Sequence, residues 1–153
     1  MQAAGLTETH RMVAKSREQG KPALGRVLIV EDDPVLALAL EAALRDRGAG
    51  EVVICPSIAA TMAELEGERP DALVIDVHLA DRDDGWALVE LVDMLGTRRP
   101  RIIFSTGAPQ DIPPKIAEAG AVFEKPYDPA DLAAVLAGDE KRGLFSKLRN
   151  AIG

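Results

Sequence analysis

The sequence predicts an α/β fold: a (βα)5 doubly wound, five-stranded parallel sheet. Three observations predict it. Short runs built on β-branched and other apolar residues recur along the chain: RVLIV, EVVIC, DALVID, RIIF and AVFE. Stretches of helical period lie between them, and helix starts carry a capping side chain, twice followed by proline. Strands joined through helices need crossover connections, which makes the sheet parallel and puts helices on both of its faces.

Element by element, RVLIV from Arg26 reads as a buried strand that stops at Glu31, Asp32 and Asp33. Asp33-Pro34 then caps and opens a helix in which Val35, Leu36, Leu40, Ala43 and Leu44 recur at helical spacing, with Gly48 as its stop. EVVIC is the second strand, and Ser57 caps a helix running to about Glu66. DALVID, the third strand, ends at Asp76. An Asp-rich loop leads from there to Gly85, and Trp86, Leu88, Val89, Leu91, Val92 and Leu95 mark a third helix. RIIF is the fourth strand. Pro113 and Pro114 leave room for at most a short helix around 112–119 before AVFE, the fifth strand. Asp128-Pro129 repeats the cap-plus-proline device ahead of Leu132, Val135 and Leu136.

A chain of 153 residues that is 47% hydrophobic and 28% charged can bury a core without metal or disulfide staples. Cys55 is the single cysteine, so no internal disulfide forms. No apolar run is long enough to span a bilayer, and the first residues lack a signal-peptide pattern, so a cytoplasmic location is expected. Of the net charge of -7, residues 1–25 and 139–153 each hold +2, which leaves -11 on the body between them. An acidic body excludes a general nucleic-acid surface, which needs a basic stripe.

Ligands of open α/β sheets bind beyond the carboxyl ends of the strands. Those ends supply Glu31, Asp32 and Asp33, then Asp76, then Ser105 and Thr106, then Glu124, Lys125 and Pro126. Each alone reads equally well as a charge solvating the start of a loop. Together, carboxylates, hydroxyls and an ammonium on one rim read as a cradle for a phosphoryl group. Clustered carboxylates repel unless a cation joins them, and oxygen donors that leave room for waters suit Mg²⁺. A carboxylate can then attack phosphorus while metal and ammonium neutralise its oxygens.

The ordered set VLIVEDDP, ALVIDVHL followed by Gly85, Ser105-Thr106 and Lys125-Pro126 resembles the receiver domain of bacterial two-component response regulators, from about Arg26 to Gly138. The resemblance implies a flavodoxin-like fold and a role for each matching position. Asp76 is the phosphoacceptor. Asp32 binds the metal directly, Glu31 through water, and His78 offers its backbone carbonyl. Thr106 is the switch hydroxyl, Lys125 pairs with the acceptor or its phosphate, and the bond to Pro126 is cis. Departures accompany the match. Ala80 replaces a usual proline, and the loop through Asp81, Arg82, Asp83 and Asp84 is one residue longer than usual. Val122 stands where many receivers carry a rotating aromatic residue three before the lysine, so the usual threonine–aromatic switch is not expected to work as a pair. The segment FSTGAPQDIPP is similar to that of stand-alone receivers, common in alphaproteobacteria, with a Phe-Ala-Thr-Gly-Tyr-like motif, and Gly107 and the prolines suggest a mobile loop there.

The expected organisation is a flexible extension over 1–24, a receiver domain over 25–138 and a basic amphipathic tail over 139–153. Leu144, Phe145, Leu148, Ala151 and Ile152 would share one helical stripe of the tail, opposite Lys147, Arg149 and Asn150. Such a stripe packs on its own domain, docks a partner or, less readily, lies on an anionic membrane. With fifteen residues after Gly138, no DNA-binding output domain is expected.

Trp86, Phe123 and Cys55 read as packing residues, and Asp81, Asp83 and Asp84 as solvated loop charges. An aspartate-nucleophile phosphatase would carry a second Asp two beyond the nucleophile, where His78 stands. Nucleotide binding lacks either glycine-rich phosphate loop. The function expected is a non-enzymatic phosphorelay module that takes a phosphoryl group from a sensor histidine kinase in a Mg-dependent reaction. It would signal to a phosphotransfer protein or a downstream target. The alternative is a phosphorylation-independent adaptor with a degenerate site.

Overall fold

The computed structural model describes residues 24–78, 91, 93–97 and 99–139. Five parallel strands form one sheet in the order β2-β1-β3-β4-β5: β1 Gly25–Val30, β2 Ala49–Cys55, β3 Ala72–Asp76, β4 Arg101–Thr106 and β5 Ala121–Glu124. Helices α1 Pro34–Asp46, α2 Ile58–Glu66, α3 Pro114–Ala117 and α4 Pro129–Leu136 connect or follow them, with a 3-10 turn at Pro109–Asp111. The doubly wound order with helices on both faces is the one expected of alternating strands and helices.

Local chemistry sets the helix ends. Asp33 Oδ1 accepts from the amides of Val35 (2.9 Å) and Leu36 (3.4 Å), and Pro34 occupies the first turn, where its missing N–H costs nothing. Ser57 Oγ accepts from Ala60 N at 3.0 Å, and Asp128 Oδ1 from Ala130 N at 2.9 Å. Helix α1 stops because Gly48 follows it at φ +91, a conformation that other residues resist. The double proline does hold α3 to four residues.

Side chains alternating along the strands build two cores. Leu28, Val30, Leu73, Ile75, Ile102 and Phe104 face α2 and α3, together with Leu91 and Leu95. Val27, Ile29, Val74, Ile103 and Phe123 face α1 and α4, against Leu40, Leu44, Leu132 and Leu136. Each such side chain fully removed from water contributes about 1.5–3 kcal/mol. The apolar spacing of α1 misleads at one position. Val35 is 77% exposed, because the apolar contact falls instead on Ala37, Leu40 and Leu44. Trp86, Leu88, Val89 and Val92, the loop over 79–85, residues 1–23 and nearly all of the tail lie outside the described residues. Leu24, expected in the flexible extension, instead packs into the core beside Val27 and Ile29 and is 3% exposed.

Two features hold the far end of the sheet. Arg26 at the start of β1 reaches Glu51 Oε2 (3.2 Å), Glu64 Oε2 (2.7 Å) and the carbonyl of Glu68 (2.5 Å), while its amide donates to Asp71 Oδ2 (2.8 Å). Gly120, just before β5, presses on β4: a Cβ there would lie 2.1 Å from the Ile102 carbonyl oxygen.

Candidate functional site

Parallel strands bring all their carboxyl ends to one rim, so residues scattered over 94 positions become neighbours. Glu31 follows β1, Asp76 ends β3, Thr106 ends β4 and Lys125 follows β5. One carboxylate oxygen from each of Glu31, Asp32 and Asp76 lies within 4.8 Å of the others. Glu31 and Asp76 are buried, and Asp32 is exposed. The Lys125 ammonium donates to Glu31 Oε1 at 2.8 Å and to Asp76 Oδ2 at 3.3 Å.

The other lone pairs are held by backbone. Asp33 N donates to Glu31 Oε2 (3.1 Å), and His78 N donates to Asp76 Oδ1 (3.0 Å). Burial pushes the Glu31 carboxyl above its ordinary range, the Lys125 hydrogen bond opposes that, and the neighbouring Asp76 adds to it. For Lys125, burial works to lower the pKa, but bonding to Glu31 and the charges of Asp76 and Glu31 outweigh it. The ammonium is held above its usual value and keeps its proton at neutral pH.

Thr106 is buried and its Oγ1 accepts from Ala108 N at 2.9 Å, while its carbonyl accepts from Lys125 N at 2.8 Å. The Lys125–Pro126 peptide bond is cis. His78 stands at the rim with its ring turned to the 3-10 turn, Nε2 lying 3.2 Å from Asp111 Oδ2. Of the residues singled out from sequence, Glu31, Asp32, Asp76 and Lys125 form one cluster. Thr106 and His78 flank it, tied to Lys125 and Asp76 through backbone hydrogen bonds.

Two neighbours escaped sequence reasoning. Tyr127 shares a 2.7 Å hydrogen bond with Ser105 Oγ and sets its ring edge-on to Phe123, with centroids 5.6 Å apart and planes at 73°. Burial raises its pKa, against the Ser105 bond, so it stays a phenol. Asp111, the partner of His78, is the other. The available signal was that Tyr127 is the single tyrosine of the chain and directly follows Lys-Pro.

The donor set is all oxygen, with three carboxylates against one ammonium, which fits a hard divalent cation. Asp32, the exposed member, offers the open side.

Comparison with known proteins gives a consistent outcome. Residues 27–137 match the family model described as response regulator receiver domain. The phyllosphere-induced regulator PhyR of Methylorubrum extorquens is 32% identical over 126 residues, covering 78% of this chain. The chain spans 45% of the length of that curated relative. A CheY-like receiver domain from Methylobacillus flagellatus superposes with a TM-score of 0.65 at 23% identity, covering 76% of this chain and 98% of its own. The receiver domain of the Pseudomonas aeruginosa sensor histidine kinase PA1611, solved with a magnesium ion in its active-site cleft, gives 0.59 at 29% identity, covering 72% and 93%.

Proposed function

The chain belongs to the response regulator receiver domain family, and on that premise we propose that Asp76 accepts a phosphoryl group from the phosphohistidine of a sensor histidine kinase. The observation that carries this reading is the Lys125 ammonium held between two buried carboxylates, Glu31 and Asp76, with Asp32 beside them. An Asp76 oxygen attacks phosphorus as the bond from phosphorus to the donor nitrogen breaks, and that electron pair leaves on the imidazole. Lys125, which keeps its proton, neutralises phosphoryl oxygens as its contact with Asp76 is lost. The Thr106 hydroxyl, already accepting from Ala108 N, donates its own proton to a phosphoryl oxygen.

Glu31, Asp32, Asp76 and the carbonyl of His78 are the groups that would hold Mg²⁺. When bound, that ion supplies charge neutralisation at the transferring oxygens. The product is a signalling state rather than a turned-over substrate, read by a phosphotransfer protein or another protein target. A kinase partner of this class places the reaction in the cytoplasm. Among the described residues no helix is long and apolar enough to cross a membrane.

The test is intact mass after incubation with phosphoramidate, with and without Mg²⁺, beside the Asp76→Asn variant. Gain of one phosphoryl group, dependent on Mg²⁺ and absent from the variant, is the expected outcome. No gain from phosphoramidate or from a cognate kinase would overturn it in favour of an adaptor that works without phosphorylation.

A further inference from the structure

We propose that Tyr127 is the positioning residue of Lys125, acting through a clasp that it forms with Phe123 and Ser105. The inference rests on the reading of Asp76 as the acceptor that Lys125 serves. Phe123 lies two residues before Lys125 and Tyr127 two residues after it, and their rings meet edge to face at 5.6 Å. The segment 123–127 therefore closes on itself with Lys125 at its middle. Sheet register fixes where the closed segment sits. Ser105 pairs with Asp76 on one side and with Phe123 on the other, so the three form one row across β3, β4 and β5.

Row partners in a parallel sheet share a face and stand about 4.8 Å apart between strands. The Tyr127 hydroxyl, bonded to Ser105 Oγ at 2.7 Å, thus anchors the Lys125 segment on the strand next to Asp76. Ser105 is 1% exposed, which excludes water as a competing partner and strengthens that bond.

Lys125 needs such an anchor. Its side chain is long, has several freely rotating bonds and is 28% exposed, and it lies closer to Glu31 (2.8 Å) than to Asp76 (3.3 Å). Its backbone amide donates to Thr106 O at 2.8 Å. Val122, at the position where an aromatic residue is usual, is partly buried against the opposite core and cannot reach Ser105's face. The aromatic hold on the rim comes instead from the carboxyl side of the lysine.

The test compares Ser105→Thr with Ser105→Val, which add the same bulk and differ only in the hydroxyl, with Tyr127→Phe as a second route to the same loss. In phosphoramidate titrations at saturating Mg²⁺, Ser105→Val and Tyr127→Phe should lower the maximal rate roughly tenfold relative to Ser105→Thr, a cost typical of a misplaced charge, with the half-saturating donor concentration unchanged. In metal-free protein, exchange of the Lys125 amide should quicken about tenfold in the same two variants, while the β1 amides Leu28 and Ile29 stay protected. Equal rates and equal exchange for the Thr and Val variants would overturn the proposal. Were the wild type to gain no phosphoryl group while the exchange pattern appeared, the acceptor reading would fall and the clasp would stand.

Discussion

Strand β1 carries a charge cluster at each end, and the two have the same formal composition: one cation and three carboxylates. At the start, Arg26 is the buried member, its side chain 10% exposed, while Glu51 and Glu64 remain 54% and 40% exposed. At the finish the order is inverted. Glu31 and Asp76 are 1% and 6% exposed, and the cation Lys125 is the wetter partner at 28%. A guanidinium can be buried because its planar fork meets several acceptors at once, and its anions stay hydrated. Buried carboxylates sharing one ammonium have no such escape. Which sign is buried, not the count of charges, separates a structural tie from a site that attracts cations.

The strongest way to break this comparison is Lys125→Met. With both carboxylates left buried beside each other, metal-free protein should lose about 3 kcal/mol, the usual cost of orphaning a buried ion. Urea midpoints in EDTA and in Mg²⁺ would check it: the loss should shrink in Mg²⁺. Arg26→Met should cost less, about 1–2 kcal/mol, because Glu51 and Glu64 rehydrate. Its urea midpoint should shift equally with and without Mg²⁺.

Glu31→Gln should act in the opposite direction and with the smallest effect. Burial raises the folded pKa of Glu31 above its unfolded value. Its contribution to stability is therefore present below the unfolded pKa and lost as pH rises through the folded one. At pH 7 in EDTA the variant should be the more stable, by less than about 1 kcal/mol. That advantage should narrow as the pH falls. An unchanged gap across pH would show that the charge of Glu31 carries no cost.

Much of this was legible in the sequence, for reasons that are local. Asp33-Pro34, Ser57 and Asp128-Pro129 announce their helices because a cap acts within three residues. The rim residues could be gathered because parallel topology alone brings strand ends together. Helical spacing, by contrast, could not say how the first turn of α1 meets the sheet, and it included Val35 among the apolar positions. Ties between distant residues were out of reach for the same reason. Ser105 and Tyr127 are 22 positions apart, Arg26 and Asp71 45 apart, and no periodicity links either pair. Val122 showed that the usual aromatic partner was missing, but nothing local pointed to Tyr127 in its stead.

Gly120 carries a consequence for how this chain can vary. Its α-carbon lies against the carbonyl of Ile102, so even alanine would put a methyl group 2.1 Å from that oxygen. The obstacle is backbone, which no rotamer change can move aside. Val122, two residues on, meets the core only through its side chain and keeps some freedom to change. Position 120 does not: in a library randomised there, the survivors would be glycine, and the path by which β5 joins the sheet would be inherited unchanged.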